Sequence, residues 1–180
     1  VDAGATLVVI NYALTPDHAM DEITRQVRAA CAFTFKNAGT LIPGDRNRIF
    51  VAGHSAGGHL TAVAATTDWP AFDPSLPPSI LAGGVAVSGI YDLEPIRLSY
   101  LNETVGLDAA MAARNSPLAA VHPAMPPLTL VVGGDESDEF KRQQASFAAA
   151  ATALGNTVET LEVPAHHHFA VIETIADTGS

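Results

Sequence analysis

The stretch Val51-Ala52-Gly53-His54-Ser55-Ala56-Gly57-Gly58-His59 decides the fold, because an apolar run meets a helix of small residues within it. Residues 49–52 predict a buried strand, and residues 56–67 predict a helix packed closely against it. Between them lies the pattern Gly-x-Ser-x-Gly, which places a serine on a sharp strand-to-helix turn, with glycines that leave room for the turn and a substrate. We therefore predict that Ser55 is a nucleophile. The backbone N–H of Ala56, at the helix N-terminus, is then the predicted oxyanion donor.

The composition is typical of one globular domain and excludes several classes of partner. The chain has 180 residues, of which 48% are hydrophobic, enough to bury a substantial core. A net charge of −10, with nine scattered Lys and Arg, argues against nucleic acid or an anionic membrane as partner. No apolar run approaches the roughly 20 residues of a membrane span. The single cysteine, Cys31, excludes an internal disulfide and falls on a buried stripe as a structural thiol, so we expect a cytoplasmic protein.

The order of predicted elements favours the α/β class, with a mainly parallel sheet and helices on both faces. Strand and helix alternate about five times, and four prolines mark one loop. The predicted strands cover 6–12, 49–52, 80–88, 128–132 and 157–163, the helices 17–37, 56–67, 105–113, 140–154 and 167–176, and the loop 69–78. We expect residues 1–180 to form a single domain. The chain enters its first predicted strand without an initiating Met and stops just after a helical pattern, so we expect a fragment.

Candidate partners for the serine follow the last two predicted strands, in the chain order serine, acid, histidine. An activated serine needs a base within hydrogen-bond reach, and the base needs an orienting carboxylate. The loop after residue 132 offers Asp135 and Glu136. We favour Glu136, which lies late in the loop just before the helix, and keep Asp135 as the alternative. Asp138 and Glu139 fit the first turn of that helix, where acidic residues complement its dipole.

Three consecutive histidines, His166, His167 and His168, follow the last predicted strand. Consecutive side chains point in different directions and no carboxylate with metal-site spacing accompanies them, so we predict no metal site. His168, directly before Phe169 and an apolar helix face, is the predicted base, and the other two are predicted loop residues facing solvent. Near the serine, His54 is expected to line or support the site and His59 to be a packing histidine.

Several segments together resemble the α/β-hydrolase superfamily in its esterase and arylformamidase branch, and in particular bacterial kynurenine formamidase-like hydrolases. The resemblance covers nearly the whole chain. The segments that carry it are residues 11–18, Gly53 to Leu60, Ser88-Gly-Ile-Tyr-Asp-Leu-Glu-Pro95, Leu101-Asn-Glu103, Asn115-Ser-Pro117, Gly133 to Phe140 and His168-Phe169. By this resemblance Ser55 matches the nucleophile, Glu136 the acid and His168 the base. Many relatives carry Asp where this chain has Glu136.

The resemblance implies a serine hydrolase that acts on an aryl formamide, such as N-formyl-kynurenine, or a short-acyl ester, without cofactor or metal. Such enzymes carry a His-Gly-Gly oxyanion segment upstream of the strand that here begins at Thr6, so we expect the first strands to be missing. Tyr91, Leu93 and Leu98 are candidates for the pocket wall or for ordinary packing. The alternatives are a general carboxylesterase and a non-catalytic binding module of the same fold. A homodimer is one candidate assembly.

Overall fold

A parallel sheet organises the computed structural model, which describes residues 4–175. Within that range four strands, β1 (Phe50–His54), β2 (Gly83–Val87), β3 (Leu128–Gly133) and β4 (Val158–Val163), lie in the order β1-β2-β3-β4. All three pairings are parallel, with His54 opposite Val87, Val87 opposite Val131, and Gly133 opposite Val163. The loops that follow the strands therefore leave from one edge of the sheet, which collects chemistry-bearing residues from distant parts of the chain.

Helices connect the strands. They are α1 (Met20–Asn37), α2 (Ala56–Ala65), α3 (Trp69–Phe72), α4 (Glu94–Arg97), α5 (Asn102–Val105), α6 (Ala109–Arg114) and α7 (Asp138–Ala153), with 3₁₀ turns at Arg46–Arg48, Pro117–Ala120 and Val171–Ile175. The main core cluster joins α2 and α7 to one face of the sheet, with Phe147 of α7 fully buried against Leu130 of β3. On the opposite face Val171 packs with Val87 and Val131. The parallel α/β architecture predicted from the sequence is confirmed.

Helix α1 packs on α2 through an apolar stripe at helical spacing. Ile23, Val27 and Leu60 form a buried cluster, and Ile10 and Tyr12 pack against it. Cys31 is half-buried beside the same cluster, and burial raises the pKa of its thiol to about 11. A thiol with a raised pKa stays protonated at neutral pH and is a poor nucleophile, which agrees with the structural role predicted for it.

The strand predicted over residues 6–12 is wrong. This run forms no strand among the described residues, and the side chains of Leu7 and Val9 are 74% and 82% exposed. Strand propensity reports how well side chains suit a pleated surface, but a strand exists only where its backbone pairs with a neighbour. No strand within residues 4–175 lies against this run. The described range therefore has four strands where the sequence predicts five.

Three further predictions about local structure need correction. The proline-rich stretch predicted as loop contains α3, because Asp68 accepts a hydrogen bond from Ala71 N–H and Pro70 occupies the first turn, where proline is tolerated. The helix predicted over residues 105–113 is divided between α5 and α6, because Gly106 ends α5 in the left-handed conformation. The helix predicted from His167 is only the 3₁₀ turn Val171–Ile175. Predictions for residues 1–3 and 176–180 lie outside the described range.

Candidate active site

Ser55 lies between the last residue of β1 and the first residue of α2. Its backbone has φ +57°, a conformation that costs free energy for a residue with a Cβ atom. The turn is tight because a Cβ built on Gly53 would lie 2.4 Å from the backbone carbonyl carbon of Gly57. A Cβ on Gly58 would lie 2.7 Å from the carbonyl oxygen of Val87. The small residues of the motif therefore let the strand, the helix and the neighbouring strand approach one another around Ser55.

His168 lies on the loop after β4 and meets Ser55 across 113 residues of sequence. Its Nε2 is 3.0 Å from Ser55 Oγ, and its Nδ1 is 2.7 Å from Glu136 Oε2. Because an ionised carboxylate only accepts hydrogen bonds, Nδ1 carries the proton and donates it to Glu136. In neutral His168, Nε2 is then free to accept the hydrogen bond from the Ser55 hydroxyl. The structure thus joins serine, imidazole and carboxylate in one hydrogen-bonded line.

Glu136 is held in a loop between β3 and α7, with its side chain fully buried. Its Oε1 accepts hydrogen bonds from Gly133 N–H, at 2.8 Å, and from the Ser88 hydroxyl. Burial acts to raise the pKa of Glu136, but the hydrogen bonds from Ser88, Gly133 and His168 outweigh it, so the pKa lies below its ordinary value. The carboxyl group is therefore ionised at neutral pH, as the partner of an imidazole that gains charge must be.

Asp135, the alternative acid, is exposed to solvent. Its backbone N–H donates to His166 O at 3.1 Å, which ties the Glu136 loop to the His168 loop. The structure brings Glu136, and not Asp135, into contact with His168.

Ala56 is the first residue of α2 and is exposed. The first N–H groups of a helix have no acceptor within the helix, and the helix dipole places positive potential there. Ala56 N–H is such a group and follows Ser55 directly in the chain, and its role as an oxyanion donor stays a prediction.

The remaining histidines of the region divide between support and packing. His54 Nε2 lies 2.8 Å from the carbonyl oxygen of His168, and their ring centroids are 4.6 Å apart. His59 is 2% exposed, with Nδ1 2.9 Å from Ile90 O, which matches its predicted packing role. His166 Nδ1 lies 2.7 Å from Pro164 O, and His167 Nδ1 accepts from the N–H groups of residues 169 and 170.

Three further predictions concern the surroundings of the site. The candidate wall residues Tyr91 and Leu93 are 1% and 2% exposed and belong to the core, where Tyr91 stacks on Phe147 with centroids 4.5 Å apart. Leu98 is 70% exposed. Within residues 4–175 no group of three or more His, Cys, Asp or Glu side chains lies close enough to hold a metal ion. Nor does any helix of the described range have the length and apolar character needed to cross a bilayer.

Ser88 is the residue of this site that sequence reasoning missed. The sequence places it at the end of a predicted strand and in a segment of the family resemblance, but nothing in the sequence marks its hydroxyl as a partner of Glu136. The contact depends on the parallel register of β2 and β3, in which Ser88 N–H donates to Val131 O at 2.7 Å. Only the three-dimensional pairing supplies that information.

A family model described as the alpha/beta hydrolase fold matches residues 1–172 of the chain. The chain belongs to the α/β-hydrolase family. The chain is 34% identical to kynurenine formamidase of Danio rerio over 182 residues, which cover 98% of this chain and 59% of that protein. Esterase LipQ of Mycobacterium tuberculosis is 29% identical over 194 residues, covering 97% of this chain and 45% of that protein. The chain thus spans about 59% of the length of the Danio rerio relative.

Solved structures agree with this assignment. The structure of a protein from Silicibacter sp. tm1040 superposes with a TM-score of 0.77 at 31% identity, covering 94% of this chain and 59% of that chain. The α/β-hydrolase fold and the resemblance to formamidases and esterases, both predicted from the sequence, are therefore confirmed.

Proposed function

We propose that the protein carrying this chain is a serine hydrolase that cleaves an aryl formamide, or alternatively a short-acyl ester, through an acyl-enzyme on Ser55. The observation that carries the proposal is the hydrogen-bonded line from Ser55 Oγ through His168 to Glu136, at 3.0 Å and 2.7 Å. A nucleophile, a base that contacts it and an orienting carboxylate are the three groups that this chemistry requires.

The first half of the reaction forms the acyl-enzyme. Ser55 Oγ attacks the carbonyl carbon while its proton passes to His168 Nε2. The resulting oxyanion lies near Ala56 N–H, where preorganised donors lower the barrier. His168 then returns the proton to the leaving nitrogen or oxygen as the carbon–heteroatom bond breaks. An arylamine or an alcohol departs, and the acyl group stays on Ser55.

The second half releases the acyl group with water. His168 takes a proton from the water molecule, whose oxygen attacks the ester carbon, and then gives that proton to Ser55 Oγ as the bond to serine breaks. The product is formate when the substrate is a formamide. Glu136 stabilises the imidazolium in both halves while remaining ionised, which its lowered pKa favours.

The two substrate classes have separate support. The Danio rerio relative named kynurenine formamidase favours an aryl formamide of the N-formyl-kynurenine type. The relative named esterase LipQ supports a carboxylesterase as the second candidate, at lower identity. A non-catalytic binding module is not favoured, because such a module has no need for a serine, an imidazole and a buried carboxylate in line.

The test is kcat/KM of the whole protein that carries this chain, measured on N-formyl-kynurenine and on a short-chain aryl ester. The Ser55→Ala variant removes the proposed nucleophile. The matched control is Ser137→Ala, which makes the same change at an exposed serine. A preference for the formamide of about a hundredfold, or about 2.7 kcal/mol of transition-state binding, supports the formamidase. Ser55-dependent turnover that prefers the ester supports the carboxylesterase. A folded protein that neither turns over substrate nor reacts with a phosphonate probe at Ser55 would contradict both.

The assignment of residues 1–180 to a single domain, the cytoplasmic location and the homodimer stay predictions. Size-exclusion chromatography with light scattering measures the assembly directly, and fractionation of the source cells measures the location.

A further inference from the structure

Ser88 combines three features that set it apart from the other strand-end residues. It directly follows β2, the strand between the one that leads to Ser55 and the one that leads to Glu136. It is 2% exposed. Its backbone adopts φ +48°, the left-handed region that residues with a Cβ atom rarely occupy. Such backbone strain persists only where surrounding contacts fix the residue, and it is concentrated at functional sites.

The Ser88 hydroxyl donates to Oε1 of Glu136. Gly133 N–H donates to the same oxygen at 2.8 Å, whereas Oε2 meets His168 Nδ1 at 2.7 Å. The two carboxylate oxygens therefore have separate partners: Oε1 is anchored to the sheet edge, and Oε2 is left for the imidazole. With its side chain fully buried, Glu136 relies on these donors in place of water.

We propose that Ser88 is a positioning residue of the hydrolase, which fixes the Glu136 carboxylate so that Oε2 faces His168. This inference rests on the proposed function, because it assigns Ser88 a task within that triad. Without Ser88, Gly133 N–H is the one donor to Oε1 within the described residues, and the partner of Oε2 is His168, which lies on a loop. The Ser88 hydroxyl, from the neighbouring strand, adds a second donor to Oε1 and so holds the direction of Oε2 toward His168. Ser88 acts through Glu136 and touches no reacting atom.

Two variants separate the hydroxyl from the backbone conformation. Ser88→Ala removes the hydroxyl and keeps a Cβ in the left-handed conformation, whereas Ser88→Gly removes both the hydroxyl and the steric conflict. For each variant of the whole protein, kcat and KM are measured below the unfolding midpoint. We expect both to lower kcat about tenfold to a hundredfold, the range for a lost hydrogen bond to a charged group. KM should stay within about twofold, because Ser88 is not placed against substrate.

A spectroscopic measurement tests the same contact without turnover. The proton between His168 Nδ1 and Glu136 Oε2 should resonate far downfield in the proton NMR spectrum, and the His168→Gln variant identifies it. We expect this resonance to move upfield or broaden in both Ser88 variants. An unchanged resonance, or a Ser88→Gly variant whose kcat lies within about twofold of wild type, would overturn the positioning role.

The matched control is Ser116, a second buried serine, 6% exposed, whose hydroxyl donates to Ala112 O at 2.7 Å and accepts from Leu93 N–H at 2.8 Å. Ser116→Ala removes a buried hydroxyl away from the triad, so it should lower thermal stability while kcat and the downfield resonance stay unchanged. If Ser55-dependent turnover is missing from the wild type, the proposed function fails. The NMR comparison still decides the contact between Ser88 and Glu136 in that case.

Discussion

At the scale of single residues, the neighbouring pair Asp135 and Glu136 gives a direct test of the acid. We expect Glu136→Gln to lower kcat about 10²- to 10⁴-fold, because an amide carries no charge to stabilise the imidazolium and favours the wrong tautomer of His168. Asp135→Asn should leave kcat within about twofold, since this side chain is exposed and the structure places it away from His168. Steady-state kinetics of the two variants at pH 7.5 measures both. The opposite ranking would move the acid to Asp135.

His54 is a second residue whose contact can be separated from its ring. The carbonyl oxygen of His168 only accepts, so His54 Nε2 is the donor across 2.8 Å and ties the His168 loop to the strand that precedes Ser55. His54→Gln keeps an N–H near that position, whereas His54→Phe keeps a ring without a donor. We expect His54→Phe to lower kcat about threefold to tenfold, and we expect His54→Gln to keep most of the wild-type kcat.

The control for His54 is His166→Gln, a change of a half-buried side chain on the same loop whose Nδ1 lies 2.7 Å from Pro164 O, and it should leave kcat unchanged. Equal kcat values for His54→Gln and His54→Phe would show that the hydrogen bond to His168 O has no catalytic effect.

At the scale of elements, the turn between β1 and α2 depends on Gly53 far more than on Gly57. A Cβ on Gly53 would overlap the Gly57 backbone at 2.4 Å, whereas a Cβ on Gly57 meets no heavy atom within 4 Å. Gly53→Ala should therefore lower the free energy of unfolding by about 1–3 kcal/mol or more. Gly57→Ala should raise it by up to about 1 kcal/mol, because alanine is the better helix former. Urea denaturation followed by circular dichroism measures both, and equal effects would contradict the packing seen at the turn.

The elements also show how far sequence reasoning reaches. The motif around Ser55 indicated a strand, a helix and the edge where the later loops meet, so chain order placed the two loops that carry the acid and the base. The preference for Glu136 over Asp135 and for His168 over its neighbours came from their positions within those loops. The run 6–12 has strong strand propensity and still forms no strand within the described range, because pairing is a property of neighbours. The contact of Ser88 with Glu136 was out of reach for the same reason: it joins two strands whose register no local pattern encodes.

At the scale of the whole molecule, the free energy of unfolding should decrease as the pH is lowered, because of one buried histidine, His59. Burial, with a smaller effect of Arg28, lowers the pKa of His59 to about 4, although its hydrogen bond with Ile90 acts in the opposite direction. In the unfolded chain an exposed histidine has a pKa near 6.5. The unfolded state therefore binds a proton that the folded state excludes, and the stability due to neutral His59 is complete above about pH 6.5. It is lost as the pH falls toward 4, by about 3 kcal/mol over the window.

The variant that tests this is His59→Asn, whose amide N–H can replace the Nδ1 donor to Ile90 O but does not titrate in the window. The measurement is the free energy of unfolding by urea at half-unit steps from pH 7.5 to 4.5. Below about pH 5.5 the carboxylates whose pKa the fold lowers, such as Glu136, Glu22 and Asp73, reduce the stability of both proteins, because the unfolded chain begins to bind protons there. The contribution of His59 is therefore the difference between the two curves, and the stability of the wild type relative to His59→Asn should decrease as the pH falls through the window. Parallel curves for the two proteins would show that His59 is protonated in the folded state, and that the helix carrying it tolerates a charge in its core.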